Sequence, residues 1–96
     1  MTNIGTFILT NTDFQKVATL ADITFDDDKI YTIQNEGDPV YIRAGVNNGK
    51  GNILNYGDIC YYDTVGNDDL YVAPLYPNSS KEKVINISAR GKKENE

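Results

Sequence analysis

The chain has 96 residues, of which 40% are hydrophobic, and nine basic side chains face fourteen acidic ones for a formal net charge of −5. That length sets a single domain, residues 1–96, with a modest core that buries roughly 60–65% of the surface its unfolded chain exposes. The acidic balance and the scattered Lys and Arg argue against nucleic acid, which needs clustered positive charge to release phosphate counterions, and the lack of any histidine rules out Ser-His-Asp and Cys-His nucleophiles.

In chain order, nine short segments read as strand candidates. The first is Thr6 to Thr10, after a thin start at residues 1–5 that reads as a flexible end. Asn11-Thr12-Asp13 turns the chain into Gln15 to Leu20. A helix over Asp13 to Asp22 is disfavoured there, because Val17, Thr19 and Leu20 form no continuous helical stripe. Ile23 to Phe25 is a short piece that stands alone or joins a neighbour. The acidic turn Asp26-Asp27-Asp28 leads into Lys29 to Asn35, where Tyr31 and Ile33 share one side and Ile30, Thr32 and Gln34 the other. Gly37-Asp38-Pro39 reverses the chain into Val40 to Ala44, in which Val40, Ile42 and Ala44 alternate with Tyr41 and Arg43. Such period-2 alternation of β-branched and aromatic residues is the strand signal.

Ala44 to Asn52, AGVNNGKGN, is Gly/Asn-rich and reads as a mobile hairpin loop. Asn52 to Leu54, Ile59 to Asp63 and Leu70 to Ala73 follow, separated by the turns at Tyr56-Gly57-Asp58 and Gly66-Asn67-Asp68. Lys83 to Ala89 closes the series, and residues 90–96 read as a frayed charged tail. Short strands with turns every eight to twelve residues predict an all-β fold, a small antiparallel β-sandwich or barrel of about eight strands. If Ile30, Val40, Ile42, Leu70, Val72, Ile85 and Ile87 fill its core, Tyr41 and Tyr71 face outward.

Each candidate for chemistry has a plainer reading. Asp26, Asp27 and Asp28 lack EF-hand spacing, and adjacent carboxylates on an extended chain splay to alternate sides, so the run is a solvated turn. Asp63, Asp68 and Asp69 surround a hairpin turn. Neither cluster has the apolar frame that a paired-carboxylate hydrolase needs to raise one pKa. Gly45 to Gly51 contains three glycines but not the phosphate-binding pattern G-x-x-x-x-G-K-[ST]. Cys60, the lone cysteine, sits between Ile59 and Tyr61 as a small buried hydrophobe and permits no disulfide within the chain. The expectation is a non-enzyme with no catalytic residue, no metal and no cofactor. The opening residues resemble no signal peptide and no segment has transmembrane length, so membrane association is not expected and synthesis in a cytoplasm is. Exposed Tyr41 and Tyr71, with Asn47, Asn48 and Lys50 of the loop, are the expected interaction residues, since Tyr offers large contact area at low entropic cost.

The order YTIQNEG, DPVYIRAG, a variable loop, Tyr56-Gly57-Asp58, LYV and VINISA resembles small β-sandwich virion proteins of tailed bacteriophages. These are the head decoration and head-fibre type and some tail-associated modules. Tyr31, Ile33, Asn35, Gly37, Pro39, Val40 and Tyr41 match the hairpin of that pattern, and Gly57, Leu70, Tyr71 and Val72 match the rest. The likeness covers Lys29 to Ala89. It implies a structural virion protein, made in the host cytoplasm, which docks as an accessory capsid (decoration) protein on the major capsid protein or another virion protein, with homo-oligomers possible. The alternative it implies is a tail-associated or carbohydrate- or receptor-binding β module.

Overall fold

The computed structural model of the chain describes residues 2–45 and 51–93. Among them lie eight strands and one helix: β1 (Thr2–Ile8), β2 (Gln15–Lys16), α1 (Val17–Ala21), β3 (Lys29–Asn35), β4 (Val40–Ala44), β5 (Asn52–Leu54), β6 (Ile59–Tyr62), β7 (Leu70–Pro74) and β8 (Val84–Gly91). The strands form two antiparallel four-stranded sheets, ordered β1-β8-β3-β6 and β2-β7-β4-β5. The alternating side chains of their facing surfaces meet in one core, as in a small β-sandwich.

The first sheet contributes Tyr31, Ile33, Tyr62, Ile85, Ile87 and Ala89 to that core, and the second contributes Val40, Ile42, Leu54, Leu70 and Val72. Six of the seven expected core residues are therefore inside. Ile30 is the exception: it shares the half-buried outer side of β3 with Thr32 and Gln34, and Tyr31, Ile33 and Asn35 point inward. The inward phase buries Ile33 and Tyr31 and leaves the polar Thr32 and Gln34 outside with Ile30, and the buried Tyr31 hydroxyl is satisfied by accepting the Asp26 N–H at 2.7 Å. Phe25 then packs edge-on against Tyr31 at 4.5 Å and against Tyr62 at 5.1 Å between ring centroids.

Three other expectations are corrected. Gln15 to Leu20 is strand for two residues only, after which Val17–Ala21 forms a helical turn that buries Val17 and Ala21 on one side. Asp22 ends it in the left-handed conformation at φ 54°, its N–H bonding the Thr19 carbonyl while the Ile23 N–H bonds that of Ala18. Ile23 to Phe25 keeps its alternation, with Ile23 and Phe25 against the core, but pairs with no strand among the described residues. The expected flexible ends also differ: Thr2 to Gly5 lie within β1, paired to β8, and Arg90 and Gly91 lie within β8, paired to β3.

The two turns at one end are tied by a single side chain. Asn35 is fully buried. Its amide nitrogen donates to the Leu54 carbonyl at 2.7 Å and the Asp38 carbonyl at 3.1 Å, and its amide oxygen accepts the Gly37 N–H at 2.7 Å. Gly37 lies so close to β8 that a Cβ there would sit 2.5 Å from the Glu82 carbonyl oxygen. The NEGDP segment is therefore a structural knot, whose glycine is required by close backbone approach.

Candidate docking face

Tyr41 and Tyr71 lie on the same surface, the outer side of the β2-β7-β4-β5 sheet, but are half-buried there and not exposed as expected. β4 presents Tyr41 and Arg43 there, with Tyr41 opposite Ile53 of β5 and Arg43 opposite Tyr71 of β7. Lys16 of β2 flanks Tyr71. Phe14 arrives from the preceding turn, where the Gln15 side-chain oxygen accepts both the Thr10 and Asn11 N–H groups at 3.3 Å, and fixes the approach of the chain. The Phe14 ring lies 6.4 Å from that of Tyr41. The Arg43 guanidinium carbon stands 3.7 Å above the Phe14 centroid and 6.0 Å from that of Tyr71. Cation–π contact thus holds a flexible arginine in one geometry between two rings.

At the rim, Lys16 pairs with Asp69 at 3.1 Å, and the hydrogen bond and charge of Asp69 raise the Lys16 pKa. Arg43 and Phe14 complete a site of which sequence reasoning named only the tyrosines. Arg43 was legible as the residue two beyond Tyr41 on one strand face. Phe14 was not, because its place depends on the turn that swings it over the sheet. Asn47, Asn48 and Lys50 lie outside the described residues.

A second exposed region runs along β5 and β6. Ile53, Tyr56, Ile59 and Tyr61 are all exposed, Tyr56 and Tyr61 to 77% and 71%. They fall in Gly51 to Tyr62, GNILNYGDICYY, where Asp58 is the only charged residue. Cys60 points the other way, toward the core, and burial pushes its thiol up to about 11. Such a thiol is protonated at neutral pH and a poor nucleophile.

The acidic clusters are occupied structurally. Asp26 pairs with Lys29 at 3.5 Å, and Asp27 accepts a hydrogen bond from the Thr64 hydroxyl. Asp63 accepts from Lys92 at 2.9 Å and from the Val65 N–H at 3.0 Å, and these bonds lower its pKa. The Tyr62 hydroxyl donates to the Asp68 carbonyl at 2.7 Å. Among the described residues no three His, Cys, Asp or Glu side chains converge as metal ligands, and no helix is long and apolar enough to cross a membrane.

No family model, no curated protein and no solved structure matches this chain.

Proposed function

We propose that this chain is a non-enzymatic structural protein of a phage particle, an accessory capsid protein that docks on the assembled shell through the outer face of its β2-β7-β4-β5 sheet. The observation that carries the docking part is Arg43 held over Phe14 beside Tyr71 and Tyr41, with the exposed Ile53 next to them. Tyr and Arg are the residue types that dominate interface energetics, and here they are ordered before any partner arrives, which lowers the entropic cost of binding. A patch of about 800 Å² per partner makes a standard interface. The virion assignment rests on the resemblance of Lys29 to Ala89 to small phage β-sandwich proteins. The docking face itself carries Arg43 and Lys16, the latter paired with Asp69 at the rim, so the shell site that complements it offers carboxylates to Arg43.

Co-sedimentation with empty capsids of the encoding phage tests this reading. The expected result is saturable pelleting at a fixed ratio per capsid subunit, weakened at least tenfold by Arg43→Ala or Tyr71→Ala, about 1.4 kcal/mol or more. A soluble, intact protein that fails to pellet removes the capsid assignment. A glycan-array signal lost in Tyr41→Ala would then support the carbohydrate-binding alternative.

A further inference from the structure

The bonding pattern of β3 fixes which backbone groups of β6 are left over. The Glu36 N–H bonds the Val84 carbonyl at 2.8 Å, so the even residues of β3 face β8. Asn35 faces the other way: its N–H bonds the Asp58 carbonyl at 3.0 Å, and its carbonyl accepts the Gly57 N–H at 2.8 Å. Gly57, at φ 87°, is the extra residue of a bulge at this point. Alternation along the antiparallel ladder then gives Cys60 and Tyr62 to β3, opposite Ile33 and Tyr31. The N–H and C=O groups of Ile59 and Tyr61 point out of the sheet edge, where β6 has no neighbour among the described residues.

Within Ile59–Tyr62 this edge carries no interruption, its bulge at Gly57 lying before the strand. β1 is interrupted by a bulge between Asn3 and Gly5, β2 is two residues long and carries Lys16, and β5 is three residues long. β6 is Ile-Cys-Tyr-Tyr, with neither charge nor proline. Ile59 is 47% exposed and Tyr61 71%, both on the outer face of their sheet.

We infer that a second copy of this chain pairs with this edge, β6 to β6, antiparallel about a two-fold axis that passes beside Cys60. Three observations select a second copy. Only a register centred on Cys60 places Ile59 opposite Tyr61 of the partner subunit at both ends, which satisfies all four outward groups at once; a shift by one residue either way pairs Ile59 or Tyr61 with its own copy and leaves the other facing a residue beyond the strand. The same register lays Ile59 of each copy against Tyr61 of the other on one face, a favourable cross-strand apolar pair. The four residues of the strand are uncharged in a chain of net charge −5, and of the flanking Asp58 and Asp63 neither faces its own kind in this register, Asp63 being paired with Lys92 at 2.9 Å. The two Cys60 residues face each other at a non-hydrogen-bonded position, with Cα atoms about 4.5 Å apart, close enough for a disulfide. This inference stands apart from the capsid reading, because it needs no other protein.

Sedimentation equilibrium of the purified full chain, with and without substitutions in β6, tests it. The wild type is expected to reach twice its 10.7 kDa mass as concentration rises. Tyr61→Pro removes one outward N–H and leaves the bonds to β3 untouched, and it should shift the midpoint for dimerisation at least tenfold higher. Tyr61→Lys, which sets like charges beside the axis, should do the same with an unchanged circular dichroism spectrum. Diamide at pH 9 takes up two hydrogens as two Cys60 thiols become one disulfide, and should cross-link wild type but neither variant. A wild type that stays monomeric to millimolar concentration overturns the inference. So does a dimer that survives both substitutions or is not cross-linked through Cys60.

Discussion

Asn35 shows how much one side chain can carry. Two of its amide hydrogen bonds, with Asp38 and Gly37, close the turn it begins, the third ties that turn to Leu54 nineteen residues away, and the residue is fully buried. Asn35→Ala should lower stability by about 3–5 kcal/mol, since it strands the Leu54 and Asp38 carbonyls and the Gly37 N–H in a site with little water. Urea unfolding would register this as a lower midpoint at similar slope. Asn35→Asp should be no better, because it replaces two donors with acceptors and buries a charge. The importance of the Asn-x-Gly-x-Pro stretch was legible in the sequence as a turn. Its bond to Leu54, nineteen residues away, was not, because local pattern carries no information on a partner supplied by another strand. Cys60 gives a second test at this scale. Its thiol sits at about 11 in the fold against an ordinary 9.0, so the folded state holds the proton more tightly than the unfolded one. That contribution is complete below pH 9 and is lost as pH rises toward 11, to the extent of about 2–3 kcal/mol. Tyr62, raised by burial and then by Asp69, Asp68 and Asp63, adds a loss of the same sign at higher pH. Denaturation curves from pH 8 to 11 should therefore fall more steeply for wild type than for Cys60→Ala; parallel curves would contradict the assignment.

Strands were easier to read than anything between them. Period-2 alternation located β3, β4, β7 and β8, because each buries one face against the other sheet and a slip of one residue would invert it. The same rule failed for Ile30, which shares its side of β3 with the polar Thr32 and Gln34 while Tyr31 and Ile33 on the other side are buried, so its own apolar character did not set its place. It failed again at Val17–Ala21, where five residues are too few to show a helical stripe. There the informative residue was Asp22, which takes the left-handed conformation that a helix end asks for and that glycine adopts without steric cost. Asp22→Gly should raise stability by about 0.5–1 kcal/mol and the melting temperature by a few degrees. A drop in melting temperature would mean that the Asp22 side chain supports the turn by a contact of its own. The docking face was half legible for the same reason as the strands. Tyr41 and Arg43 follow from β4, whereas Phe14 depends on a turn held by Gln15.

At the scale of the whole molecule, the edge and the face belong to one geometry. A two-fold axis that relates antiparallel strands within a sheet runs perpendicular to that sheet, so both copies keep the same side up. The outer faces of the two β2-β7-β4-β5 sheets then point in one direction, splayed by the twist of roughly 20–25° per strand. A dimer built through β6 would offer two Phe14–Arg43–Tyr71 platforms to a repeating surface, and the second contact would form at the high effective concentration set by the first. If both proposals hold, Tyr61→Pro should weaken binding to capsids about a hundredfold, although Tyr61 lies on the opposite sheet from the platform. Arg43→Ala should weaken binding with the dimer intact. Titration of capsids with wild type, Tyr61→Pro and the Cys60-linked dimer separates the two effects. Equal affinity of wild type and Tyr61→Pro would mean that only one platform of each dimer reaches the shell, since the loss predicted for the proline variant comes wholly from the second contact.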